Sequence, residues 1–272
     1  MPAVTRARVA GIVAEVAASE SNPVVDRLRG LPAGDGDPDL VVELVADPRF
    51  SAPPAANPPA FDARAAGDDA LELWRADVVG RVEVPADPAA PVRARFTHAR
   101  PLGAEAGWRV ALATALVRRG GFALHASAVE RDGRAYVFSG HSGAGKSTIA
   151  RLLSRPGSGR TRLADELLVV RRAAGGWLVE LPPFFTPEPD LPFGRVVPLA
   201  SYHSLAHAPR DERTALPPAA ALPRLMENVL IYSALPRIAA AVLDVGARFA
   251  AEVPCYRLRF RPHEAVAAAL GW

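Results

Sequence analysis

The most informative segment of this 272-residue chain is Gly140-His141-Ser142-Gly143-Ala144-Gly145-Lys146-Ser147. It matches the pattern G-x-x-x-x-G-K-[ST] in full. Glycines permit the backbone angles that turn successive N–H groups inward, and a helix that follows adds its own free N–H groups. The segment therefore predicts an anion-binding loop of the P-loop, or Walker A, type that holds the phosphates of a nucleotide.

The chain has 32 lysine and arginine residues, and Lys146 is the only lysine among them. A compact ammonium fits under curled backbone, whereas a planar guanidinium fits poorly there. We expect Lys146 to bridge the β- and γ-phosphates and the hydroxyl of Ser147 to bind Mg²⁺. Thr148 is expected to complete the first helical turn.

The sequence around this segment predicts a strand, a loop and a helix, as the motif requires. Phe122–Glu130 alternates as a strand, with His125 and Ser127 on the face opposite the apolar residues. The elements predicted next are a hairpin turn at Arg131–Arg134, a strand at Ala135–Ser139 and a helix at Ser147–Leu153.

Two adjacent carboxylates follow an apolar strand at Leu163-Ala164-Asp165-Glu166, about twenty residues after Lys146. A strand-end acid near a phosphate loop is a typical Mg²⁺ ligand, and a second acid can accept the proton of an attacking hydroxyl. His125 lies about twenty residues before Lys146. The alternatives are a solvated strand end for the acids and a structural role for His125.

The sequence resembles HPr kinase/phosphorylase and its relatives in three short stretches. These are Leu124-His125-Ala126, Gly140–Ser147 and Leu163–Glu166. That family shares its P-loop core in outline with phosphoenolpyruvate carboxykinase. The resemblance covers about Phe122 to Arg171 and implies an α/β fold with a P-loop core of this type and a mixed sheet. It also implies ATP as the nucleotide.

The resemblance further implies roles for individual residues. The loop amides and Lys146 would hold the phosphates, and Ser147 would bind Mg²⁺. Asp165 matches the family acid that accepts the proton of a substrate serine, and Glu166 stands where a second acid helps to place the metal. His125 matches a histidine near the transferred phosphate. The family's downstream Glu-Arg-Gly signature is not recognisable, and Glu replaces Asp as the second acid.

The remainder of the chain predicts two domains. Residues 1–104 are expected to form a smaller, mostly β accessory region with proline-rich loops, and residues 105–272 a kinase-like domain. Further elements predicted by periodicity are strands at 71–74, 78–84, 92–96, 162–165, 167–171, 177–181 and 255–260, helices at 105–119, 222–235, 237–249 and 264–270, and a long loop at 181–195 beside the site.

Composition limits the classes of partner and location. A net charge of +3 with scattered arginines argues against a nucleic-acid surface, and no apolar run is long enough for a membrane span. One cysteine and the lack of a signal pattern favour a cytoplasmic protein. The histidines at 98, 141, 203 and 207 do not have zinc-site spacing, so no structural metal is expected.

These observations favour an ATP- and Mg²⁺-dependent kinase that phosphorylates a hydroxyl. The expected acceptor is a serine of a small protein or peptide, or a serine-like small molecule, and a homo-oligomer is possible. Two alternatives stay open: a nucleotide-dependent binding or scaffold protein with little or no transfer, and an ATPase. Arg160, Arg162 and Arg195 could clamp phosphate or serve only as surface charges.

Overall fold

The computed structural model describes residues 3–18, 22–51, 61–182, 193–231 and 234–272, which divide into two compact units. The first unit runs to Arg119 and also contains described residues between Ile231 and Ala241. The second contains 120–182, 193–230 and 242–272. The boundary expected between 104 and 105 falls inside a helix of the first unit.

In its described residues, the first unit contains seven strands and two complete helices: β1 (Ala3–Val9), β2 (Ile12–Ala18), α1 (Pro23–Leu28), β3 (Leu40–Ala46), β4 (Asp62–Ala65), β5 (Ala70–Arg75), β6 (Val78–Glu83), β7 (Val92–His98) and α2 (Pro101–Arg118). The strands form one mixed sheet in the order β1-β2-β3-β7-β6-β5-β4. The pairs β2–β3 and β3–β7 are parallel, and the others are antiparallel. The strand-rich character predicted for the N-terminal region is therefore confirmed.

Helix α2 covers one face of this sheet. Strand β7 alternates buried and exposed residues, and its Phe96 is fully buried. Gly107 of α2 lies directly over that ring, because a Cβ added at Gly107 would approach Phe96 Cγ to 2.5 Å. The helix ends before Gly120, whose φ of +72° is the left-handed conformation of a helix-terminating glycine. The predicted helix and its glycine stop are confirmed.

Among the residues described for the second unit there are nine strands, three complete helices and the larger part of a fourth, α5: β8 (Gly121–Arg131), β9 (Arg134–Ser139), α3 (Lys146–Leu153), β10 (Thr161–Ala164), β11 (Leu167–Ala173), β12 (Gly176–Glu180), β13 (Val196–His207), β14 (Glu212–Ala215), α4 (Pro218–Met226), β15 (Val229–Leu230), α5 (Pro236–Glu252), β16 (Cys255–Phe260) and α6 (Val266–Ala269). The first residues of α5 belong to the first unit.

The nine strands form a second mixed sheet. Its main order is β10-β8-β11-β12-β13-β16-β14, while β15 pairs with β8, and β9 pairs with both β8 and β13. Strand β13 is parallel to β9 and to β16. At the β8–β9 turn, Asp132 and Gly133 have φ of +52° and +72°, the pattern of a tight hairpin turn, so the predicted hairpin is confirmed.

The helix predicted over 222–235 is wrong in its second half. Helix α4 begins earlier, at Pro218, and ends at Met226. Asn228 closes this end: its backbone N–H donates to Leu225 O, and its side-chain amide donates to Arg224 O at 3.0 Å. The next residues form β15 and pair with β8, so sheet pairing overrides the helical pattern of the sequence. Of the long loop predicted at 181–195, residues 183–192 lie outside the described residues.

A hydrophobic core lies between α3 and the second sheet. Its buried members are Val129, Phe138, Ala144, Ile149, Ala150, Leu153, Leu205, Leu258, Phe260, Val266 and Leu270. Helix α3 also contacts β8 and β9. This packing fixes the start of α3 relative to the end of β9. Among the described residues, no helix has the length and apolar character needed to cross a membrane.

Candidate functional site

The segment Gly140–Ser147, called the glycine loop below, connects β9 to α3. Gly143 and Gly145 have φ of +81° and +94°, a region that side chains other than glycine rarely adopt. Within the loop the Ala144 N–H donates to His141 O at 3.1 Å. A Cβ at position 145 would come within 2.7 Å of Phe260 Cζ. Glycine is therefore required at 145 both by backbone angle and by space.

Lys146 begins α3 and folds its side chain back under the loop. Its ammonium donates to Gly140 O at 2.8 Å and to His141 O at 3.3 Å. Only 8% of the residue is exposed, and burial lowers the pKa of the ammonium below its usual value. The positive charge thus lies directly beneath the loop backbone.

Two side chains from outside the loop hold its backbone. The buried hydroxyl of Ser127 in β8 donates to Lys146 O at 2.8 Å. His207, the last residue of β13, lies with Nε2 2.8 Å from Gly143 O, and its ring stacks on Phe260. Because a carbonyl only accepts, Nε2 of His207 carries the proton. The sequence pattern placed Ser127 on the strand face opposite the apolar residues and predicted no strand at β13, so neither contact was identified.

A cleft of about 460 Å³ opens beside the loop. Its lining combines residues of the loop, of β8, of α3 and of the turn after β10: His125, Ser142, Gly143, Gly145, Lys146, Ser147, Thr148, Arg151, Asp165 and Glu166. Three parts of the loop do not line it. Ala144 belongs to the core, and Gly140 and His141 contribute carbonyls to Lys146. The structure therefore brings the predicted histidine, lysine, hydroxyls and both acids to one cleft.

The two adjacent acids have different surroundings. The Asp165 carboxylate is 10% exposed, and its Oδ2 lies 3.1 Å from Arg162 Nη1 and 3.6 Å from Arg151 Nη2. Glu166 is exposed, and its backbone carbonyl accepts the N–H of Ala126. Asp165 is thus a carboxylate held by two guanidinium groups, whereas Glu166 extends into the open part of the cleft.

His125 lies on β8, lines the cleft and is exposed. Its backbone N–H donates to Asn228 O at 2.8 Å. The pKa of its imidazole is lowered first by partial burial and then by the charge of Lys146, with Glu166 acting in the opposite direction. The site therefore favours the uncharged imidazole at neutral pH.

The arginines singled out from the sequence lie in three different places. Arg160 is stacked over Trp272, and Arg195 pairs with Glu130 at 2.6 Å. Neither lines the cleft, whereas Arg162 holds Asp165. The arginine that does line the cleft is Arg151, which the sequence reading missed. Its position four residues after Ser147 in α3 is the signal that could have identified it, since residues four apart share a helix face.

Fold and cleft together define a mixed α/β protein with a glycine loop beside two carboxylates. The family model described as SynChlorMet cassette protein ScmC matches residues 109–264, more than half of the chain. The chain belongs to this ScmC family.

Among solved structures, the chain is similar to the Hpr(Ser) kinase/phosphatase from Coxiella burnetii, with 11% sequence identity and a TM-score of 0.33. The match covers 55% of this chain and 93% of that one. At this level the likeness is distant. No curated protein matches the sequence.

Proposed function

We propose that this chain is an ATP- and Mg²⁺-dependent kinase that transfers the γ-phosphoryl group to a hydroxyl, with a serine of a peptide or small protein as the acceptor. The observation that carries the proposal is the shared cleft, in which the glycine loop and Lys146 lie beside Asp165, Glu166 and His125. Catalysis of phosphoryl transfer depends mainly on positioning the reacting groups and on stabilising the charge of the transferred phosphoryl group. The residues of this cleft can supply both.

The phosphates would lie on the loop side of the cleft. The start of α3 provides free N–H groups and the positive end of the helix dipole. Lys146 adds a full positive charge at the same end, and its ammonium can exchange the carbonyls of Gly140 and His141 for phosphate oxygens. The anchors at Ser127 and His207 would keep the loop backbone in place during this exchange.

Mg²⁺ prefers oxygen donors, and the cleft contains the hydroxyl of Ser147 and the carboxylates of Asp165 and Glu166. These residues fit the ion, and Glu166 is the more available carboxylate because arginines hold Oδ2 of Asp165. Bound there, Mg²⁺ would neutralise part of the charge on the phosphate oxygens.

Asp165 would accept the proton of the acceptor hydroxyl or hold that hydroxyl in line with the γ-phosphorus. The uncharged imidazole of His125 lines the same cleft as Lys146 and can exchange hydrogen bonds with the transferred group. The open cleft leaves room for a peptide side chain to reach both groups.

Transfer of ³²P from γ-labelled ATP to serine-containing peptides and small proteins tests the proposal. Asp165→Asn should reduce transfer by about 10²- to 10⁴-fold, the usual contribution of a general base. Lys146→Ala should abolish it. Asp244→Asn, at an exposed position of α5, is the matched control and should transfer like wild type. Equal transfer by Asp165→Asn and wild type would overturn the role given to Asp165.

A second candidate is a nucleotide-dependent binding protein with little or no transfer. The observation that favours it is the pairing of Asp165 with two arginines, because a carboxylate engaged in this way is less available as a base. Binding of ATP to the wild type without transfer to any acceptor, and with the same affinity in Asp165→Asn, would select this candidate. Transfer that requires Asp165 would exclude it.

A further inference from the structure

Arg151 lines the cleft but belongs neither to the glycine loop nor to the pair of acids, so the proposed function gives it no role so far. It lies on α3 four residues after Ser147, so both side chains emerge on the same face of the helix, one turn apart. The Arg151 side chain is 63% exposed, yet it reaches within 3.6 Å of Asp165 Oδ2. Arg151 thus lines the cleft and pairs with a carboxylate that lines it too.

Asp165 does not depend on Arg151 to remain paired. Arg162, only 21% exposed, lies closer to the same oxygen at 3.1 Å. The Arg151 side chain is 63% exposed and its ion pair with Asp165 is the longer of the two, so water screens this pair more than the Arg162–Asp165 pair. Arg151 can therefore leave Asp165 while Arg162 keeps the carboxylate in place.

We propose that Arg151 moves from Asp165 to the terminal phosphate of a bound nucleoside triphosphate and stabilises that group during transfer. This inference rests on the proposed function. A guanidinium fork matches two phosphate oxygens at once, whereas Lys146 offers a point charge. An arginine supplied by the same chain is an established way to stabilise a transferred phosphoryl group.

The movement links nucleotide binding to the acceptor step. In the step itself, the acceptor oxygen forms a bond to the γ-phosphorus, and the bond from that phosphorus to the bridging oxygen breaks. ADP leaves with the electron pair, and the acceptor proton passes to Asp165. Departure of Arg151 leaves Asp165 paired with Arg162 when the triphosphate is in place.

Calorimetric titration with Mg²⁺ and either ADP or the non-hydrolysable β,γ-imido analogue of ATP tests this inference without any acceptor. Wild type should prefer the triphosphate. Arg151→Ala should weaken triphosphate binding by about 10- to 100-fold, the effect of removing a hydrogen bond to a charged group, and leave ADP binding nearly unchanged. Arg155→Ala is the matched control, because Arg155 follows the same helix but pairs with Glu264, and it should behave like wild type.

The outcomes separate the inference from the proposed function. An unchanged preference for the triphosphate in Arg151→Ala, or an equal loss of both nucleotides, would overturn the role of Arg151 alone. Failure of the wild type to bind either nucleotide would overturn the proposed function and this inference with it. If Arg151→Ala unfolds early in a thermal scan, Arg151→Lys replaces it, with a smaller but still selective loss of triphosphate affinity expected.

Discussion

The hydroxyl of Ser127 donates a 2.8 Å hydrogen bond to the backbone carbonyl of Lys146, and Ser127 is fully buried. Ser127 lies in β8, two residues from His125, while Lys146 is the first residue of α3. This one contact joins the strand that carries the cleft histidine to the helix that begins at the glycine loop. It ties the position of the only lysine to the sheet beneath it.

Ser127→Ala removes this bond and leaves Lys146 O without that donor. We expect the free energy of unfolding to fall by about 0.5–1.5 kcal/mol, the net contribution of one hydrogen bond, because Lys146 O keeps its place in the helical ladder of α3. Nucleotide affinity should fall as well. Urea unfolding and calorimetry measure the two effects. Ser154→Ala is the control, because the Ser154 hydroxyl donates to Ala150 O at the other end of α3. If both variants bound nucleotide like wild type, the Ser127 contact would have no part in holding the loop.

Gly145→Ala and Gly143→Ala distinguish crowding from backbone strain. Both glycines have positive φ, so each alanine should cost about 1–2 kcal/mol. At 145 the new methyl would also collide with Phe260, whereas at 143 nothing lies within 4 Å. Gly145→Ala should therefore be less stable than Gly143→Ala by a further 1–3 kcal/mol or so. Equal losses in urea unfolding would contradict the contact between the loop and Phe260.

Lysine-directed chemistry should single out Lys146. It is the only lysine, it lines the cleft, and burial lowers its pKa, so a larger fraction of unprotonated amine is present near neutral pH than in a free lysine. An acylating ATP analogue should label Lys146 and, apart from the α-amino group, nothing else. Excess Mg-ATP should protect it. Peptide mapping that finds labelling of Lys146 unaffected by ATP would count against a nucleotide in this cleft.

His203 should make stability depend on pH. Its ring is fully buried between Phe138 and Tyr256, and burial lowers its pKa to about 3. Between pH 3 and 6.5 the unfolded chain binds a proton at His203 that the folded chain does not. The contribution of His203 to the free energy of unfolding is therefore fully present above pH 6.5 and decreases as the pH falls toward 3. The loss approaches about 1.4 kcal/mol per pH unit.

His203→Phe keeps an aromatic ring in the stack but removes the titration. Urea unfolding of both proteins from pH 4 to 7 isolates the contribution of His203 as the difference between the two curves. We expect that difference to change across this range. Parallel curves would show that His203 is able to take up its proton in the folded state.

The parts of the fold that the sequence predicted are those with strong local signals. Strand β16 has the predicted bounds, Cys255–Phe260, because its aromatic or apolar residues alternate with arginines from Tyr256 to Phe260. The Asp132-Gly133 turn was predictable for a similar reason, since that dipeptide favours the two positive φ angles. The glycine loop followed from its motif.

The parts that the sequence did not predict depend on tertiary contacts. Strand β13 contains a proline, serines and histidines, and it becomes a strand through parallel pairing with β9 and β16. The contact of His207 with Gly143 follows from that pairing. The two arginines around Asp165 come from β10 and from α3, and no spacing along the chain indicates that both meet the same carboxylate.

Calorimetric titration with Mg-ATP measures whether wild type and Lys146→Ala bind a nucleotide, and so tests the glycine loop and its lysine directly. We expect the wild type to bind one nucleotide per chain and Lys146→Ala, folded by circular dichroism, to lose that binding. Absence of binding heat from folded wild type, or full affinity in Lys146→Ala, would contradict a polyphosphate site at residues 140–147.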